Sequence, residues 1–125
     1  MARRFLAIIH LSLIHIYIGG GDGGLLSCGL LAAATQSERA EACQFYMQTA
    51  MSSPSCVGLH YFEMNDQPLL GRFDGECMQH GVIDICNRPY PEMAQMFERV
   101  AADMYERVLN LTPATKVDVN VYRAR

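Results

Sequence analysis

Residues Val57 to Glu92 read V-G-L-H-Y-F-E-M-N-D-Q-P-L-L-G-R-F-D-G-E-C-M-Q-H-G-V-I-D-I-C-N-R-P-Y-P-E. The stretch opens with apolar residues and passes into a polar loop rich in groups that hydrogen-bond hydroxyls: Tyr61, Glu63, Asn65, Asp66, Gln67, Arg72, Asp74 and Glu76. Residues Cys56–Glu63 are nearly continuous in apolar content, as expected of a strand buried on both faces. Gly58 in its middle predicts tight packing or a close backbone approach. A strand that delivers polar residues at its C-terminal end and is followed by a helix is how (β/α) barrels build their sites. The fold class expected is therefore α/β, specifically the last helix-strand-loop-helix portion of a partial TIM (β/α)8 barrel.

Working outward, Thr35-Gln36-Ser37-Glu38 has the form of a capping box. It predicts a helix from Gln36 to Met51, with Ala40, Cys43, Tyr46, Met47, Ala50 and Met51 at helical spacing and Ser52-Ser53-Pro54 as its stop. Beyond the loop, Gly81–Ile85 suits a short extended segment. Pro91 then fits the first position of a second helix, where its missing amide costs nothing. Met93, Met96, Phe97, Val100, Ala101, Met104, Tyr105 and Val108 form one apolar stripe along that helix. These methionines are core packing. Residues 113–125 are expected to be a weak strand or a loose end.

Residues 1–24 differ in character. Arg3 and Arg4 precede an apolar run, and a glycine cluster follows it. A signal peptide has that order of charge and apolar core, but the run holds two histidines and lacks a clean cleavage site. Leu11-Ser12-Leu13-Ile14-His15-Ile16 resembles the translation of a transposon end used in preparing sequencing libraries. The segment is therefore expected to be non-native or signal-like, Gly19–Gly24 a flexible join, and order to begin near Leu25. A further alternative makes Phe5–Ile18 a strand beside Cys56–Glu63. The division expected is 1–24, 25–112 and 113–125.

The chain has 125 residues, about half of the ~250 that a complete eight-fold barrel needs. A helix-strand-helix piece with a doubly buried strand leaves backbone groups unpaired, which argues for a fragment. Ten Lys and Arg against thirteen Asp and Glu offer no basic patch for phosphates, so nucleic acid is not an expected partner. Five cysteines without a C-x-x-C pair or a histidine at zinc spacing predict small buried or half-buried thiols rather than a metal site. They do not fix the compartment. No cofactor is expected, and no membrane unless residues 1–18 are a genuine signal or anchor.

Gly58-x-His60-Tyr61-Phe62-Glu63-x-x-Asp66-Gln67-Pro68-x-x-Gly71-Arg72-x-Asp74-Gly75-Glu76, followed by Gly81-x-x-Asp84 and Pro89-Tyr90-Pro91-Glu92, resembles the C-terminal part of clan-A barrel glycoside hydrolases. The likeness is to the β-agarases and β-galactosidase-like enzymes of families 50 and 42, over roughly Gly29 to Leu109. It implies a retaining hydrolase of galactose-containing glycans, with an oligo- or polysaccharide as partner, in a family often extracellular or periplasmic. Tyr61 stands where an aromatic, usually Trp, would floor the sugar site. An aromatic face suits the C–H face of a pyranose. His60 and Glu63 would orient that floor or reach hydroxyls. Asp66, Gln67, Arg72, Asp74 and Glu76 would line the loop as hydroxyl ligands or internal ties. Asp66, Arg72 and Asp74 equally suit pairing with one another to stiffen the loop.

Asp84 and Asn87 fit turn formers, His80 a loop histidine, and Glu92 a helix start. The clan's two catalytic carboxylates, about 5 Å apart, end strands four and seven. Strand seven would end just before Gly29, where only Asp22 is acidic, so the resemblance implies that no catalytic residue lies in this chain. The alternative function is a small secreted or membrane-tethered carbohydrate-binding module.

Overall fold

The structure is a computed structural model and describes residues 18–23, 31–118 and 121–123. Three short strands and two helices make up its regular part. They are β1 (Ile18–Gly20), β2 (Leu31–Ala33), α1 (Gln36–Met51), α2 (Pro91–Asn110) and β3 (Val121–Arg123). The strands form one sheet in the order β1-β2-β3, with β1 parallel and β3 antiparallel to β2. Ile18 faces Leu31, and Leu31 also faces Arg123.

Both helices begin as their sequences dictate. Thr35 caps α1 by accepting the Glu38 amide at 3.1 Å, and the Glu38 carboxylate reaches back to the Ala34 amide at 2.9 Å. Asp22, in the 3-10 turn Gly21–Gly23 after β1, takes the Gln36 amide at 3.2 Å. These acceptors satisfy amides that an α-helix start leaves without partners. Pro91 opens α2, and Leu111, in the left-handed conformation at φ 50°, closes it.

The helices pack against each other through Ala40, Cys43, Met47 and Met51 of α1 and Met93, Met96 and Val100 of α2. Burial of such side chains contributes about 1.5–3 kcal/mol each. The apolar stripe of α2 is only half covered. Met93 and Met96 are fully buried, whereas Tyr105 is 76% exposed.

Several expectations are corrected here. Cys56–Glu63 is irregular rather than a strand, and Val57 is 86% exposed. No ladder forms along it among the described residues, since a strand needs a neighbouring edge to pair with. Leu59 and Tyr61 still pack toward the helix core while His60 between them is exposed, so the two-residue alternation survives locally. A side chain at Gly58 would meet nothing within 4 Å, so the tight approach expected there is absent.

Residues Gly19–Gly23 are not a flexible join: Ile18–Gly20 is paired and buried, and a Cβ on Gly20 would clash with the Gln36 side-chain Nε2. Order thus begins before Leu25, and Ile18 neighbours Leu31 rather than Cys56–Glu63. Residues 1–17, including His10 and His15, lie outside the described residues. Gly81–Ile85 contributes two isolated bridges, Asn65 with Ile83 and Ile83 with Pro89, instead of a strand. Beyond α2 the tail returns to the sheet as β3, and its Thr115 amide is held by the Gln48 side chain at 2.9 Å.

Candidate functional site

The loop from Glu63 to Tyr90 carries two polar assemblies, one buried and one exposed. The buried one centres on Arg39, which is completely enclosed although it sits on α1. Its guanidinium donates to the Gln36 side-chain oxygen at 2.8 Å, the Tyr61 hydroxyl at 2.9 Å and the Gly81 carbonyl at 2.6 Å. It also lies over the Tyr90 ring, 5.6 Å from the centroid.

Asp66 answers from the opposite side. Its Oδ1 accepts the Gly81 amide at 2.7 Å and its Oδ2 the Tyr90 hydroxyl at 2.6 Å. Gly81 therefore stands between a cation on its carbonyl and an anion on its amide. No side chain fits there, because a Cβ would fall 2.2 Å from the Asp66 backbone nitrogen. Gln79 completes the group by donating to the Tyr90 hydroxyl at 2.5 Å.

Tyr61 is absorbed into this assembly. Its hydroxyl donates to the His80 carbonyl at 2.6 Å while accepting from Arg39, and its ring meets Phe97 edge-on at 5.1 Å. Burial drives its pKa well above the ordinary tyrosine value, against the opposing pull of Arg39. The nearby Cys43 thiol is pushed up to about 11, again by burial with Arg39 opposing. In this structure the Tyr61 hydroxyl and its ring contact with Phe97 both serve internal packing.

His80 is a loop histidine, as expected, and a buried one, only 1% exposed. It stacks on Phe62 at 5.9 Å, and its Nε2 lies 3.5 Å from the Glu63 carboxylate. Burial lowers its pKa to about 4, and the positive charges of Arg39 and Arg72 act in the same direction. The imidazole is neutral at pH 7.

The exposed assembly spans Pro68–Cys77. Gly71 and Gly75 take φ of 79° and 86°, a conformation that glycine supplies without strain. The turn is closed by the Gly71 amide to Pro68 at 2.7 Å, the Arg72 amide to Glu76 at 2.7 Å and the Gly75 amide to Arg72 at 3.0 Å. Arg72 pairs with Asp74 at 3.0 Å and with Glu76 at 3.6 Å. Gln67 joins the two assemblies: its side chain accepts the Met78 amide at 2.7 Å and donates to Glu76 at 3.1 Å.

Beside this turn lies a cleft of about 310 Å³, with Asp66, Gln67, Gln79, Asp84, Arg88 and Tyr90 among its walls. Asp84 holds the far wall as a turn former, accepting the Cys86 and Arg88 amides at 2.8 and 2.9 Å. Those amides, with the Arg88 side chain, hold its carboxyl below the usual range. Asn87 follows in the left-handed region at φ 59°.

Of the eight residues expected to bind, Gln67, Arg72, Asp74 and Glu76 are brought together. Asp66 and Tyr61 belong to the buried assembly, Glu63 faces His80, and His60 stands apart on the surface. Arg39, Gln79, His80 and Tyr90 are organising residues that the sequence reading missed. One signal for Arg39 was available: with Gln36, Ala40, Cys43 and Met47 it falls at helical spacing on the buried face. Among the described residues, no group of three or more His, Cys, Asp and Glu is placed to hold a metal, and no helix is long and apolar enough to cross a membrane. Cys43, Cys56, Cys77 and Cys86 are free thiols.

The architecture recurs in solved proteins. An exo-β-agarase structure superposes with a TM-score of 0.71 at 39% identity, covering 74% of this chain and 13% of its own. The agarase AgWH50C gives the same values, and PfGH50B matches with a TM-score of 0.71 at 38% identity, covering 74% of this chain and 14% of its own. Two curated proteins of Vibrio sp. (strain JT0107) match over 90 residues: β-agarase B at 33% identity and β-agarase A at 29%. Part of this chain is homologous to the family 50 β-agarases. The matched stretch is 71% of this chain and 9% of each curated agarase, so the chain spans a small part of those relatives' length. No family model matches.

Proposed function

We propose that this chain is the portion of a β-agarase-type glycoside hydrolase that carries the polysaccharide-binding loop after the last barrel strand. The observation that carries the reading is the homology just described, which runs through a loop furnished for hydroxyl contacts. Arg72, Asp74 and Glu76, held from behind by the buried Gln67, form the contact surface with the adjoining cleft. A rigid turn presenting paired acceptors and donors binds a neutral glycan by hydrogen bonds at little ordering cost. His60, exposed on the surface, is free to reach a sugar hydroxyl apart from that turn.

The parent reaction is retaining hydrolysis of a galactose-containing glycan in a (β/α)8 barrel, and kinship with the family 42 β-galactosidases belongs to the same proposal. Its catalytic carboxylate pair lies outside this chain. Supporting that division, the loop acids here already have internal work: Glu63 faces His80, Asp66 holds Gly81 and Tyr90, and Glu76 holds Arg72 and Gln67. In the full barrel, Cys56–Glu63 would gain the strand neighbours that it lacks here.

Agarose itself provides the test. The 125-residue protein is expected to be retarded on an agarose matrix, relieved by free agaro-oligosaccharide, and to release no reducing sugar from it. Reducing sugar released by this chain unaided would overturn the division of labour, and passage without retardation would overturn the binding role.

A further inference from the structure

We infer that Phe73, which the sequence reading passed over, is the sugar-stacking platform of this loop, and that its ligand is the C–H face of a neutral pyranose in a galactan chain. This inference rests on the proposed polysaccharide-binding role. A stacking platform needs an aromatic ring that is bare, held still, and flanked by hydrogen-bonding groups. Tyr61 fails the first requirement, because its hydroxyl is held by Arg39 and the His80 carbonyl and its ring packs with Phe97 against the helix core. Phe73 is 99% exposed, more than any other aromatic among the described residues.

The ring does not ride on a loose loop. Its neighbours on both sides, Arg72 and Asp74, are joined to each other at 3.0 Å, and the Arg72 and Gly75 backbones close the turn beneath it. The Arg72 guanidinium lies 5.8 Å from the ring centroid, over one face. Such a cation backs an aromatic ring electrostatically and limits its motion. The other face is left open to a ligand.

Hydrogen-bonding groups surround it. The side chains of Arg72, Asp74 and Glu76 are each about one-third exposed (29%, 34% and 34%), so they retain capacity beyond their mutual pairing. An apolar ring framed by two carboxylates and a guanidinium matches a pyranose, whose C–H face is apolar and whose rim is hydroxyl.

The test is titration of the full chain with agaro-oligosaccharide and, in parallel, cello-oligosaccharide, followed by saturation-transfer NMR and calorimetry. Phe73→Ala is compared with Leu70→Ala, an equally exposed apolar control on the same turn. Neither substitution should alter the circular dichroism spectrum, since both side chains lie in solvent. The expected result is transfer to the sugar C–H protons, an affinity about fivefold weaker in Phe73→Ala, and little change in Leu70→Ala or Phe73→Trp.

Unchanged agaro-oligosaccharide affinity in Phe73→Ala would overturn the assignment and leave the polysaccharide-binding role standing. Phe73-dependent binding of the cello-oligosaccharide alone would keep the platform and overturn the galactan. No binding of either sugar by the unmodified chain overturns both.

Discussion

The buried knot around Arg39 and the exposed turn around Arg72 use the same kinds of side chain to opposite ends. In the knot, a largely buried guanidinium and carboxylate act through Gly81, Tyr61 and Tyr90. In the turn, a guanidinium grips two carboxylates at the surface. A buried polar group is driven to bond internally, because an unmade bond costs a desolvation penalty. An exposed group trades partners with water at little cost and so stays available to a ligand. Burial, more than residue type, separates the groups that shape this loop from those that can bind with it.

That contrast sets the size of what mutations should do. Arg39→Leu would strip donors from Tyr61, Gly81 and Gln36 at once and leave Asp66 without a nearby cation. The expected loss is about 4 kcal/mol, read as a fall in the urea midpoint of unfolding. A loss near that of a surface residue would show that the knot does not hold the loop.

Acidification probes the same knot from a different direction. The folded pKa of His80, about 4, lies below its ordinary 6.5. Between those values the unfolded chain binds the proton and the folded chain does not. Stability is therefore complete above pH 6.5, falls as pH drops toward 4, and changes no further from this group below that. The shift corresponds to no more than about 3 kcal/mol. Glu63, facing His80, reduces the loss when it gains a protonated partner, while Arg39 and Arg72 add to it. Urea melts between pH 7 and 4 for the unmodified chain and His80→Gln should differ in slope; parallel curves would show that His80 is not the source.

The smallest effect belongs to the exposed turn. Arg72→Ala removes two surface ion pairs, and the expected loss in the same urea assay is below about 1 kcal/mol. A loss approaching that of Arg39→Leu would erase the distinction between the two assemblies.

The helices were largely legible because their signals are local. The Thr35–Glu38 cap and Pro91 mark starts that the structure keeps, since they act on amides within one turn. The expected strand at Cys56–Glu63 was not realised, because a strand depends on neighbours that no local pattern supplies. At the site, the chemistry of Gln67, Arg72, Asp74 and Glu76 was readable from composition, and their convergence follows from two glycine turns a few residues apart. Tyr61, His60 and Asp66 looked equivalent to them in sequence. Their separation depends on α1 and α2, which lie far away along the chain.

From its own sequence the protein determined where its helices start, where its loop must turn, and which side chains could meet a hydroxyl, since each of these rests on neighbours within a few positions. Only the tertiary structure decided that Arg39 and His80 are enclosed, that Tyr61 is tied to Arg39, and that Phe73 stands in solvent. Burial is set by what packs from elsewhere in the chain, and it is burial that determines whether a polar or aromatic group supports the scaffold or remains open to a partner.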